Sequence, residues 1–236
     1  MDRRAFRRTM RVLESRYPMK DWTSGMTPFE VLVSTVLSQS TTAANERRGL
    51  EDLRSRVAAI TPETLAAMPV KEIERAIWHA GLARQKAPRI RAIAKAIRDR
   101  WDGQVERILA LPTDQARAEL MALPGVGPKT ADVVLAMAGG HPTFPVDTHI
   151  ARIARRWELA RRKDYESIRA ALERWTPADK RTAWHLAIID HGRALCKARN
   201  PRCLECPVRA DCDWYRHSRA RGIGRRGRTP QSSTKG

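Results

Sequence analysis

Phe29, Leu32, Val33, Val36 and Leu37 stand at the i, i+3, i+4, i+7 and i+8 positions of one helical face, so this stretch can bury its apolar side chains only as a helix. Thr27-Pro28 marks its start, a capping hydroxyl followed by a proline in the first turn. The same spacing predicts helices over Ala44–Leu53, Pro62–Ala67, Val70–His79, Gln85–Arg100, Thr113–Ala122, Thr130–Ala138, Thr148–Trp157, Asp164–Arg174 and Pro177–His191. No stretch alternates as a half-buried strand must, and Gly or Pro punctuates short connections. The chain is therefore expected to be all-α, in two helical domains. Gly139-Gly140-His141-Pro142 breaks the pattern, which predicts one domain over residues 21–140 and a second over 141–215. A helix within residues 1–20 is expected to pack with the second domain, and residues 216–236 to form a disordered basic tail.

Charge narrows the partners. Lys plus Arg number 45 against 26 Asp plus Glu, a net +19 over 236 residues, and the tail contributes seven basic residues with no acidic one. Arginine outnumbers lysine 36 to 9, which weakens any single surface arginine as evidence, but the excess as a whole points to a polyanion bound largely through its phosphates. No run of 18 apolar residues occurs, so no membrane span is expected. The N-terminal MDRRAFRRTM lacks the apolar stretch of a secretory signal. With its cysteines confined to one short segment, the chain is expected in a reduced, cytoplasmic compartment.

Leu123-Pro124-Gly125-Val126-Gly127-Pro128-Lys129-Thr130 joins two predicted helices through a turn with two glycines. Glycine lets a ligand approach the backbone, and free N–H groups at the new helix start suit a phosphate. Such contacts with Gly125, Val126 and Gly127 carry no base information, as in a protein that grips DNA regardless of sequence. Lys129 lies in the first turn of the second helix, where the positive end of the dipole disfavours an ammonium. A free amine there is a nucleophile able to form a Schiff base with a sugar carbon. Asp147, in Val146-Asp147-Thr148-His149, precedes another helix; it suits an N-cap and equally an anion held to stabilise positive charge on a sugar.

Cys196, Cys203, Cys206 and Cys212 follow C-x6-C-x2-C-x5-C, four thiols within 17 residues. This spacing fits a [4Fe–4S] cluster or a structural zinc, and no flavin or dinucleotide fingerprint accompanies it, so a structural centre is expected.

Taken together, LPGVGPKTADVVL, the following VDTHIARIARR and the cysteine spacing resemble the endonuclease III family of helix-hairpin-helix DNA glycosylases, over about Phe29 to Tyr215. The resemblance implies a six-helix barrel domain carrying the hairpin, and a second helical domain holding a [4Fe–4S] cluster on the four cysteines. Damaged double-stranded DNA would lie in the groove between them with its nucleotide flipped out, and the protein would act as a monomer associated with the nucleoid. Lys129 matches the family's catalytic lysine, which attacks C1′ and supports strand cleavage by β-elimination, and Asp147 its catalytic aspartate. Gln39, in Leu37-Ser38-Gln39-Ser40-Thr41-Thr42-Ala43, and Leu82, in Ala80-Gly81-Leu82, match segments that enter the duplex beside the flipped base.

Departures bear on the substrate. The adenine-glycosylase branch carries a glutamate near the position of Thr35, and the thymine-mismatch branch a tyrosine where Lys129 stands. Bacterial relatives read closer to LSAQATD and many archaeal ones to LSQNTTD, so Ser40 and Ala43 replace residues around the flipped base. The expected activity is removal of oxidised pyrimidines such as thymine glycol, with abasic-site cleavage. Alternatives are a glycosylase for uracil, mismatched thymine or a photodimer, and a damage sensor with little turnover.

Overall fold

The computed structural model describes residues 1–160 and 162–220. Its helices are α1 (Arg3–Arg16), α2 (Pro28–Leu37), α3 (Ala43–Arg54), α4 (Pro62–Ala67), α5 (Val70–Ala76), α6 (Ala83–Trp101) and α7 (Val105–Leu109). These are followed by α8 (Thr113–Met121), α9 (Pro128–Met137), α10 (Thr148–Arg156), α11 (Tyr165–Trp175), α12 (Arg181–Ala194) and α13 (Asp213–Ala220). Among the described residues there is no strand, and the fold is all-α. No described helix is long and apolar enough to cross a membrane.

Two apolar cores organise the helices. One runs from Phe29 to Leu135 and draws on α2 through α9, with Leu32, Leu37, Leu53, Leu65 and Ile73 fully buried. Thr27 caps α2 reciprocally with Glu30, a capping box that fixes where the most buried of these helices begins. The other core joins Phe6, Met10 and Leu13 of α1 to side chains of α10, α11 and α12. Phe6 meets Trp157, Trp175 and Trp184 edge-on, with ring centroids 5.5 to 6.3 Å apart. The first helix thus packs with the last third of the chain, against α12 above all.

Some boundaries differ from the periodicity. The helix predicted over Val70–His79 stops at Ala76 and tightens into a 3-10 turn over Trp78–Ala80. Gly81 and Leu82 follow with φ of +69° and +51°, a left-handed pair that reverses the chain and that no helix can contain. Helix α3 comes so close to this turn that a Cβ on Gly49 would lie 2.7 Å from that of Ala80. The short α7 has too few residues to show a period. Residues 216–220, expected to open the disordered tail, are helical: α13 continues to Ala220 and Arg216 pairs with buried Asp213 one turn earlier. Residues 221–236, the rest of that expected tail, lie outside the described residues.

Phe6→Ala is expected to cost about 3–5 kcal/mol, the scale of a fully buried aromatic whose site cannot collapse, read as a lower urea midpoint.

Candidate active site

The hairpin between α8 and α9 is built as its glycines suggest. Gly125 has φ +72°, a backbone conformation that favours glycine, and a Cβ there would displace the flexible Arg89 side chain, 2.5 Å away. Gly127 is different. It has an ordinary φ of −96°, and a Cβ would meet nothing within 4 Å. Among the described residues nothing fills that clearance, so the backbone there is open to close approach. No side chain caps α9, so its first N–H groups await an outside acceptor. Val126 between the glycines is buried and anchors the turn.

Lys129, in the first turn of α9, is half-buried and makes no hydrogen bond or ion pair. Burial lowers its pKa, opposed by the negative charge of Asp147. Desolvation is thus the main cause, where the sequence pointed to the helix dipole. Asp147 caps α10, accepting the Ile150 N–H at 2.8 Å, so cap and neighbour of the amine are one residue. Its charge is also felt by His149, Arg152 and His185. His185, from α12, went unassigned in the sequence because a lone histidine on an apolar helix carries no signal. It is buried edge-on against Phe144, centroids 5.8 Å apart, and burial drives its pKa down to about 4. Burial thus keeps the imidazole neutral within the electrostatic reach of Lys129 and Asp147.

Gln39 follows α2 and approaches the same helix. Arg89 donates to its side-chain oxygen at 2.9 Å, and its amide donates to Thr130 Oγ1 at 3.4 Å. Leu82 projects from the left-handed turn before α6, about half exposed, with Trp78 exposed on the turn before it. The two segments are tied by a residue the sequence reading passed over. Lys86 is almost wholly buried and donates to the carbonyls of Leu37 at 2.6 Å and Ala80 at 2.8 Å. Ser40 is exposed with φ +53°, Ala43 opens α3 on the surface, and Thr35 points inward, bonded to the Val31 carbonyl.

The four cysteines converge beyond α12. Cys196, Cys203, Cys206 and Cys212 line one cavity with Trp157, Trp214 and Tyr215. Burial raises the pKa of Cys203, Cys206 and Cys212, and neighbouring cysteine charges raise them further, Cys206 to about 11. Thiols that resist ionising together need a cationic centre to hold them as thiolates. Arg156 donates to Cys196 Sγ at 2.9 Å while lying 5.3 Å over the Trp214 ring.

Comparison with known proteins settles the family. Residues 33–178 match the model of the HhH-GPD superfamily base excision DNA repair proteins, and residues 196–212 the iron–sulfur binding domain of endonuclease III. Endonuclease III of Bacillus subtilis is 37% identical over 186 residues, 78% of this chain and 80% of that protein. The Escherichia coli K12 enzyme is 36% identical over 187 residues, 79% and 84% of the two. The chain belongs to the endonuclease III family. The solved structure of a trapped endonuclease III–DNA covalent intermediate matches with a TM-score of 0.81 at 31% identity, covering 93% of this chain and 99% of that one. A thermostable thymine-DNA glycosylase shares the fold, with a TM-score of 0.76 at 21% identity. As an endonuclease III family member the chain is a DNA-binding repair enzyme, a DNA glycosylase with abasic-site lyase activity, and its cofactor is a [4Fe–4S] cluster.

Cys212→Ser is expected to yield protein with well under four irons per chain and a weakened thiolate-to-iron absorption, because an alcohol is a poor replacement for the thiolate ligand; iron analysis and the visible spectrum check this.

Proposed function

We propose that the protein removes oxidised pyrimidines such as thymine glycol from damaged duplex DNA and then cleaves the strand, acting as a monomer with Lys129 as nucleophile and Asp147 as its electrostatic partner. The observation that carries the reading is the unpaired, half-buried amine of Lys129 at the start of α9, in the field of the Asp147 carboxylate. The duplex would be held by the N–H groups around Gly125, Val126 and Gly127. Gln39 and Leu82 would enter the stack on either side of the extruded nucleotide, their separation set by Lys86. The four cysteines would hold the cluster that braces the chain after α12.

In this mechanism the Lys129 Nζ lone pair forms a bond to C1′ as the C1′–N glycosidic bond breaks and its electron pair leaves with the base, which takes up a proton. Positive charge gathering on the sugar is stabilised by Asp147, a group already oriented by its cap to α10, so little reorganisation is needed. The attached ammonium then gives up one proton, which O4′ takes up as the C1′–O4′ bond breaks and the nitrogen lone pair forms the C=N bond of a protonated Schiff base. Loss of a C2′ proton expels the 3′ phosphate by β-elimination, and water returns the free amine. His185, held neutral by burial, adds no competing positive charge at this point.

Borohydride is expected to trap wild-type protein on a duplex carrying one thymine glycol, and trapping is expected to vanish in Lys129→Gln while duplex binding persists. A panel with uracil, mismatched thymine and a photodimer tests the lesion; preference for any of these over thymine glycol would overturn the substrate assigned here.

The pH dependence follows from the shift of Lys129. A lowered pKa leaves more free amine near neutrality, so the trapping rate should rise with pH and level off below the ordinary lysine value of about 10.4. Asp147 opposes that shift. Asp147→Asn, which retains a capping side chain, should therefore move the acidic limb to lower pH while slowing the reaction about 100-fold, the scale of losing one preorganised charge.

A further inference from the structure

One turn beyond Lys129 on α9 lies Asp132, a carboxylate with no exposed surface. Such a charge is tolerated inside a protein only when its oxygens are met by donors. Arg117 of α8 donates Nε to one oxygen at 2.8 Å and Nη2 to the other at 3.3 Å. Thr143 donates at 3.1 Å and the Tyr165 hydroxyl at 2.6 Å. Three of these contacts come from the hairpin and the segment after it, although Arg117 also pairs with Glu166 of α11 at 2.6 Å. The fourth does more. Tyr165 opens α11, in the second core, and its oxygen also accepts the N–H of Val146 at 3.3 Å. Val146 directly precedes Asp147. Burial and the charge of Asp132 raise the phenol's pKa, so its proton is always available to Asp132 and its lone pair to Val146. Among the described residues Asp132 reaches the segment of Asp147 through two hydroxyls, that of Thr143, which also lies 3.2 Å from the Glu173 carboxylate that holds the Phe144 N–H, and that of Tyr165, which bonds the residue next to Asp147.

We propose that Tyr165 is a positioning residue for the reaction: by bonding Asp132 with its proton and Val146 with its oxygen, its hydroxyl sets the separation of Lys129 and Asp147. The inference rests on the assignment of those two residues as the reacting pair. The amine is carried by one core and the acid by the segment that leads into the other, and nothing bonds them to each other. A shift of about 1 Å between such groups can cost up to 100-fold in rate. The residue touches neither the amine nor the acid, so its effect must appear in the chemical step and in the electrostatic coupling of the pair.

The test compares Tyr165→Phe with Thr143→Val. Each removes one hydroxyl from Asp132; that of Thr143 is shared with Glu173, whereas that of Tyr165 bonds the residue next to Asp147. Borohydride trapping on a thymine glycol duplex is timed at saturating enzyme across pH, alongside duplex affinity, iron content and thermal unfolding. Tyr165→Phe is expected to slow trapping about 10-fold with affinity and iron unchanged. Its acidic limb should move to lower pH, because a more distant Asp147 raises the Lys129 pKa less. Thr143→Val is expected to stay within about twofold of wild type, losing only stability on the scale of one buried hydrogen bond. Trapping by Tyr165→Phe at the wild-type rate would overturn the proposal, as would equal slowing in both variants, an unmoved pH limb, or a Tyr165→Phe protein that loses its iron or its fold. A wild-type protein that fails to trap would overturn the reading of Lys129 as well; wild-type trapping with an indifferent Tyr165→Phe would overturn the positioning role alone.

Discussion

Two lysines of this chain are held out of water, and the difference between them organises the molecule. Lys86 has both neighbouring carbonyls to receive its protons and is a strut. Lys129 has no hydrogen-bond partner among the described residues. Burial lowers its proton affinity, and the nearest carboxylate acts on it through space without a hydrogen bond. An amine kept in that condition costs folding free energy that must come from elsewhere, and the two well-packed cores on either side supply it. Natural proteins keep such uncompensated groups where chemistry needs them.

What surrounds the amine is correspondingly over-determined. Asp132 gathers α8, α9, α11 and the segment after α9 around one buried charge. Asp147 is fixed as a cap, and His185 is fixed by packing. On the hairpin side the opposite holds: Gly127 has space beside it that no protein atom fills, and the start of α9 has no side-chain cap. Rigid walls around an open, donor-rich mouth suit a site that receives a phosphate backbone and one extruded nucleoside. The excess of +19 in net charge then favours approach to DNA at long range without selecting a sequence.

The cysteine site makes a similar use of burial. Burial, and to a lesser degree neighbouring cysteine charge, raises the pKa of Cys203, Cys206 and Cys212, so a cationic cluster favours their thiolates in a segment whose only helices are short 3-10 turns. Arg156 and the ring of Trp214 close that site from the side of α10 and α13.

The all-α fold, the hairpin, the cysteine ligand set and the capping position of Asp147 were legible in the sequence, because each depends on residues within a few positions of one another: helical periodicity, a glycine turn, a C-x2-C pair, an acid before a helix. Boundaries slipped where local rules gave way, at the left-handed Gly81–Leu82 pair and at α13, whose start is held by buried Asp213. Packing alone decided the rest. That burial depresses Lys129, that His185 is neutral, that Lys86 bridges the segments of Gln39 and Leu82, and that Tyr165 links Asp132 to Val146 all depend on parts of the chain that meet only in the fold. Desolvation and Coulomb energy depend on distance in space, and no spacing along a chain encodes that until the helices have docked.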